Sequence, residues 1–120
     1  MVCMNALRAK ELNQKLESDQ DVLVVNVLGD EAFAKEHIPG SHHVDNERDD
    51  FVAEVTNLAG RKDRPIVVYC ASKDCPASPT AAKKLDEAGF ANVYDFEGGM
   101  AEWKLAGFDV EQGVLEEARR

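Results

Sequence analysis

The chain has 120 residues, 44% of them hydrophobic, with 14 basic against 23 acidic side chains for a net charge of −9. The length suits a single domain spanning 1–120, and the hydrophobic share supports a core and excludes intrinsic disorder. The acidic balance excludes a phosphate-tracking nucleic-acid surface, which needs cations to replace released counterions. No apolar run nears the ~20 residues of a membrane span. No basic segment followed by a long apolar run marks a secretory signal at Met1–Asn5 or beyond. The expectation is a cytoplasmic protein with no nucleic-acid and no membrane partner. Three cysteines are an odd number and too few for a disulfide scaffold, so each is core filler, a metal ligand or a reactive group.

Asn5 predicts the N-cap of a helix reaching about Glu17, with Leu7, Leu12 and Leu16 sharing a face; Cys3 ahead of it suits a short edge strand or the core. Asp21 and the run Val22-Leu23-Val24-Val25-Asn26-Val27 then read as a strand covered on both faces, because β-branched residues recur without alternation. Asp30 predicts the cap of a short helix over Glu31 to Glu36 with Phe33 inward, ended by His37-Ile38-Pro39-Gly40. A brief strand over His42, His43 and Val44 follows. Asp49 or Asp50 opens a helix in which Phe51, Val55 and Leu58 share a face. Gly60 and Arg61-Lys62-Asp63-Arg64 form a surface turn.

Pro65 introduces a second buried-strand run, Ile66-Val67-Val68-Tyr69, with Cys70 at its end. A polar loop leads to Ser78-Pro79, which predicts a helix start with the hydroxyl at the N-cap and proline at the first helical position. That helix runs through Ala81, Ala82 and Leu85 to Ala88, stopped by Gly89. Asn92-Val93-Tyr94-Asp95-Phe96 is a third strand, closed by Gly98-Gly99; a last short helix holds Trp103 and ends at Gly107. Trp103, Phe96 and Phe108 suit the core, and residues 109–120 read as a tail that frays in part. Strands alternating with helices imply an α/β fold with a mostly parallel sheet.

In such a sheet, ligands bind at the carboxyl ends of the strands. Cys70 follows a strand directly, and its loop leads into a helix. Inward-facing loop amides and a helix N-terminus both favour negative charge, and such settings lower a cysteine pKa from ~8.5 to between ~3.5 and ~7.5. The pattern therefore suggests a nucleophilic thiolate in a pocket that also holds an anion. The alternative is a small buried hydrophobe ending a core strand.

In order and spacing, the segments Asp21 to Leu28, His37-Ile38-Pro39-Gly40-Ser41, Ile66-Val67-Val68-Tyr69-Cys70, Ala81-Ala82-Lys83-Lys84-Leu85 through Ala88-Gly89-Phe90, and Asn92-Val93-Tyr94-Asp95-Phe96-Glu97-Gly98-Gly99 followed by Trp103 resemble a rhodanese-like domain. The resemblance runs from about Met4 to Val110. It implies a three-layer α/β/α fold with a central sheet of about five strands. It also implies a sulfurtransferase or sulfur carrier without cofactor or metal. Cys70 then takes sulfur from a small-molecule sulfane sulfur donor, becomes a persulfide, and passes the sulfur to a thiol, cyanide or protein acceptor. The loop Ala71, Ser72, Lys73, Asp74, Cys75, Pro76, Ala77 and Ser78 would bind the substrate.

The chain departs from the family in that loop. Where relatives commonly carry arginine after the cysteine and a glycine nearby, this loop is about two residues longer, and its lone cation, Lys73, is followed by Asp74. Asn26-Val27-Leu28 replaces a pair that is charged in many relatives. The sequence therefore leaves the donor open. Cys75 lies in the same loop and is a candidate resolving cysteine, attacking a Cys70 persulfide or sulfenic acid, or else an inert packed side chain. The alternatives are a thiol–disulfide redox domain using Cys70 and Cys75 and a non-catalytic regulatory binding module. A phosphatase is disfavoured by Pro76, which stands where an arginine fork would be needed. Cys70 and Cys75 lack the two-residue spacing of a zinc pair and have no second Cys/His pair to complement them; of the locally clustered His37, His42 and His43, the family resemblance accounts for His37 and the other two read as solvent-facing loop residues. Glu97-Gly98-Gly99, on the same sheet edge as Cys70, reads either as a pocket wall or as a plain turn.

Overall fold

The computed structural model describes residues 5–6, 8–18, 21–28, 34–46, 49–71 and 77–112, the first pair by backbone alone. In chain order the elements are β1 (Asn5–Ala6), α1 (Ala9–Ser18), β2 (Leu23–Asn26), β3 (His42–His43), α2 (Phe51–Ala59), β4 (Ile66–Tyr69), α3 (Ala77–Glu87), β5 (Val93–Phe96) and α4 (Gly99–Leu105). The strands form one five-stranded sheet in the order β1-β5-β4-β2-β3. Every pairing is parallel.

β2 and β4 are buried at every position, as their unalternated β-branched runs require. Side chains still divide by parity. Ile66, Val68 and Cys70 face a core that includes Phe51 and Val55 of α2 and Ala81, Ala82 and Leu85 of α3. Val67 and Tyr69 face the opposite core, built from Ala9 and Leu12 of α1 and Met100 and Trp103 of α4. Two helices therefore cover each face, giving three layers, α/β/α. Trp103 lies edge-on to Phe96 at 6.3 Å and against Phe108 at 4.7 Å. Its indole N–H donates to the Asp109 carbonyl at 2.7 Å.

The first helix differs from expectation. Asn5 is not its cap: Asn5–Ala6 pairs in parallel with Tyr94 and Asp95 at the sheet edge, and the helix starts at Ala9. A strand there satisfies backbone groups that a longer helix would leave to water, and the cap is recruited from elsewhere. Glu102 of α4 accepts the Ala9 N–H at 2.6 Å and the Arg8 Nε–H at 3.1 Å, and Glu11 accepts the Arg8 N–H at 2.8 Å. Carboxylates at this terminus also suit the helix dipole. Leu12 is buried and Leu16 packs at the core margin.

Other boundaries move less. The helix predicted over 31–36 falls largely outside the described residues, as do its Asp30 cap and Phe33; Ala34 and Lys35 are helical. Val44 lies just past β3, yet its N–H still donates to the Asn26 carbonyl at 3.1 Å. α2 starts at Phe51 as expected and stops at Gly60, whose φ of 80° is left-handed and whose N–H returns to the Thr56 carbonyl. The tail is docked as far as described: the Glu111 and His37 amides exchange hydrogen bonds at 2.8 Å in both directions. Residues 113–120 lie outside the described residues. Among the described residues, no helix is long and apolar enough to cross a membrane.

Candidate active site

The connections leaving β2 and β4 depart to opposite faces of the sheet. From β2 the chain passes the side holding Ile38, and from β4 it enters α3 on the other side. Adjacent parallel strands that part in this way open a crevice at their carboxyl ends. Cys70 is the first residue beyond β4 at that crevice.

The backbone of Cys70 is held from α4. The amides of Met100 and Ala101 donate to the carbonyls of Cys70 and Ala71 at 2.9 and 2.8 Å. The first amides of a helix have no acceptor within it, so the strand end supplies one. The close approach explains Gly99, which has a φ of 59° and where any Cβ would run into the Cys70 carbonyl. Glu97-Gly98-Gly99 is thus more than a plain turn: it lets the chain anchor Cys70, and the Met100-Ala101 step that follows lines the crevice.

The Cys70 side chain lies on the α2/α3 face and is fully buried, whereas Ala71 is exposed. That burial is what the core-filler alternative requires, and it departs from the open anion pocket expected from sequence. A strand-end side chain of this parity points down onto the helices that pack beneath it. Ser72, Lys73, Asp74, Cys75 and Pro76, and Cys3 as well, lie outside the described residues, and the resolving role for Cys75 lies there with them.

Ala77 is half-buried and Ser78 is buried. Ser78 does not cap α3, which begins one residue earlier. Pro79 still sits in the first turn, where its missing N–H costs no helical bond. The Ser78 hydroxyl faces the Asp95 carboxyl closely enough to restrain its pKa, but without the geometry of a hydrogen bond; neither Ser78 Oγ nor Asp95 Oδ1 has a partner. Asp95 pairs in register with Val68, so its side chain shares the face of Val68 and Cys70. Burial pushes its pKa upward, Ser78 opposes the rise, and nearby Glu97 adds to it. Sequence reading passed over Asp95. The available signal was an acidic residue at an inward position of the run Val93-Tyr94-Asp95-Phe96.

The opposite face is closed. The Ile38 N–H donates to the Tyr69 hydroxyl at 3.0 Å, Tyr69 and Ser41 hydroxyls meet at 2.9 Å, and Ser41 donates to the Ile38 carbonyl at 2.7 Å. Burial raises the Tyr69 pKa against the pull of these bonds. Asn26, at the position that departs from the family, accepts the Leu28 N–H at 2.9 Å through Oδ1, while its Nδ2 is unpartnered. His43 Nε2 lies 2.6 Å from the Leu28 carbonyl, which makes it the protonated ring nitrogen; His37 Nε2 is 3.2 Å from Glu111 Oε1.

A cleft of about 620 Å³ opens beside Ala71 and Leu28, at the ends of β4 and β2. Met100, Ala101 and Leu105 of α4 form one wall. Lys35, Glu36 and Lys104 supply its charge, with Lys104 Nζ paired to Glu36 Oε2 at 2.9 Å.

The family model described as a rhodanese-like domain matches residues 8–106. A GlpE thiosulfate sulfurtransferase of Pseudomonas syringae is 36% identical over 87 residues, covering 72% of this chain and 76% of that protein. The HTH-type transcriptional regulator Rv0324 of Mycobacterium tuberculosis is 34% identical over 111 residues, which cover 92% of this chain; the chain spans only 46% of the regulator. Among solved structures, a rhodanese-like domain from Anabaena superposes with a TM-score of 0.76 at 27% identity, covering 100% of this chain and 85% of that one. A thiosulfate sulfurtransferase from Pseudomonas aeruginosa shares the fold at a TM-score of 0.81 and 24% identity, over 92% of this chain and 20% of that chain.

Proposed function

The chain belongs to the rhodanese-like domain family, and from that premise we propose that it is a sulfurtransferase in which Cys70 carries the sulfur as a persulfide. The observation that carries this reading is the position of Cys70, directly after the central strand β4 at the crevice where the sheet connections part, with a cleft opening at the next residue. The thiolate attacks a sulfane sulfur, the donor leaves, and the outer sulfur then passes to a thiol, cyanide or protein acceptor. Covalent catalysis of this kind splits one hard transfer into two easier ones. Residues 71–78 are proposed to form the substrate loop, with Cys75 available as a resolving thiol.

The burial of Cys70 sets a condition on the chemistry. A thiol with no exposed surface reacts only in the fraction of molecules that open around it. Alkylation of Cys70 by iodoacetamide is therefore expected to be slower than that of an exposed thiol of equal acidity. The direct test is intact mass after incubation with thiosulfate, 3-mercaptopyruvate or inorganic polysulfide. A reducible gain of ~32 Da is expected, and it should be absent in Cys70→Ser. No gain with any donor overturns the proposal.

A second reading is favoured by the match to the mycobacterial regulator over nearly all of this chain: the sulfur or oxidation state of Cys70 is held as a signal. Stoichiometry separates the two. A transferase turns over many sulfurs per chain when donor and cyanide are both present, whereas a signalling domain takes up one sulfur, or closes a Cys70–Cys75 disulfide, and stops.

A further inference from the structure

We propose that Asp95 acts through Cys70 as a positioning residue: its buried carboxylate, on the same face of the sheet as the sulfur, keeps Cys70 protonated near neutral pH. The coupling belongs to the two side chains themselves; its consequence for sulfur loading rests on Cys70 being the sulfur-accepting thiol. Register places the pair. Val68 is the Cα partner of Asp95 across β4 and β5, and Cys70 stands two residues beyond Val68 on the same face. A strand spacing of ~4.8 Å and a rise of ~3.3 Å per residue put the two Cα atoms about 8 Å apart. Both side chains are buried, Asp95 at 3% and Cys70 at 0% exposure.

Among the described residues, nothing offsets a charge on Asp95. Its Oδ1 has no partner, and the Ser78 hydroxyl in the first turn of α3 faces it without closing a hydrogen bond. The core on this face is apolar, with Phe51 and Val55 from α2 and Ala81, Ala82 and Leu85 from α3. Lys84 of α3 is engaged elsewhere: its Nζ donates to the Asn46 carbonyl at 2.8 Å and lies 5.6 Å from the Phe51 ring centroid. Glu97, just past β5, is exposed and negative, so it opposes ionisation of Asp95 rather than balancing it. Such an interior is screened little, and one buried charge raises the cost of a second beside it. The carboxyl is the stronger acid of the two, so it takes the charge first.

Coulomb's law at an effective dielectric of ~20 gives this separation a weight of about thirtyfold in the ionisation of Cys70. Water reaching the strand ends lowers that weight toward about threefold. Loading changes less than ionisation, because a more acidic thiolate is also a weaker nucleophile; the change in sulfur uptake is about two- to fivefold. Lys73 and Asp74 of the following loop lie outside the described residues. They are the same in every variant that follows, so their effect cancels from the comparison.

The test follows ultraviolet thiolate absorbance against pH in the full chain carrying Cys3→Ser and Cys75→Ser, which leaves Cys70 as the one thiol. In that background Asp95→Asn is expected to lower the titration midpoint by about 0.5 to 1.5 pH units, and Asp95→Ser, also uncharged, to move it the same way. A merely structural role would move the melting temperature and leave the midpoint where it was. A midpoint unchanged in Asp95→Asn, or moved in opposite directions by the two variants, overturns the coupling. Sulfur gain from inorganic polysulfide at neutral pH, read by intact mass, should be about two- to fivefold faster in Asp95→Asn. A lowered midpoint with no sulfur gain from any donor upholds the coupling and overturns the sulfurtransferase. Sulfur gain with an unmoved midpoint does the reverse.

Discussion

Two groups of buried polar side chains flank the end of β4. On one side Tyr69, Ser41 and Ile38 close a ring of three hydrogen bonds in which each buried polar group has its partner. On the other, behind Cys70, Asp95 and Ser78 are equally buried and each keeps an unpartnered oxygen. Leaving a buried polar group unpaired costs about 1–3 kcal/mol. The contrast is between the closed Tyr69–Ser41–Ile38 ring and the open Asp95–Ser78 pair rather than between whole faces, since Asn26, in register with Tyr69, also keeps a buried Nδ2 unpartnered.

The severest way to break the contrast acts on both groups at once. Gly99→Ala places a side chain against the Cys70 carbonyl at a left-handed φ, and it is expected to cost about 3 kcal/mol or more. Denaturant unfolding measures the loss, and persulfide formation should fall with it because Cys70 loses its anchor on α4. Tyr69→Phe acts on the closed ring alone. It strands the Ile38 N–H and should cost about 1–3 kcal/mol while leaving the sulfur chemistry in place; an unchanged melting temperature would show that the ring is not the scaffold.

Asp95→Asn sharpens the comparison in the opposite direction. Burial raises the Asp95 pKa above its ordinary 3.8, so the protonated form favours folding, and that stability is lost as pH rises from 3.8 through the folded value. At neutral pH the unaltered protein bears the penalty of ionising a buried carboxyl, and the neutral amide does not. Asp95→Asn should therefore melt higher, by a few degrees, at neutral pH. The difference should vanish below pH ~3.8, where both states are protonated. A gain that persists in acid would assign the effect to packing instead. The smallest effect belongs to the surface: Glu36→Gln opens the Lys104 pair and should change stability by no more than about 0.5 kcal/mol.

Much of this was legible in the chain. The runs Leu23–Asn26 and Ile66–Tyr69 announce strands buried on both faces because a parallel sheet covered by helices has no wet side. Gly60 and Gly89 mark helix ends because both sit at left-handed φ. The motif order that places Cys70 after a strand is local in sequence and could be read directly. The cap of α1 could not, since Glu102 lies 94 residues from Arg8 along the chain, and pairing over such a separation leaves no local periodicity. Asn5 misled for the same reason: a good capping residue was drawn into a strand by an edge that the sheet alone provides.

Composition and pattern determined the class of this protein, its parallel sheet, its family and the cysteine on which its chemistry is proposed to turn, because those follow from which residues neighbour one another along the chain. Tertiary structure alone decided that Cys70 is buried, that Asp95 and Ser78 meet behind it, and that Leu28, Lys35 and Leu105 border one cleft. Each of those facts depends on bringing distant segments to the carboxyl edge of the sheet, and burial and charge pairing are set by that encounter rather than by any residue's neighbours in sequence.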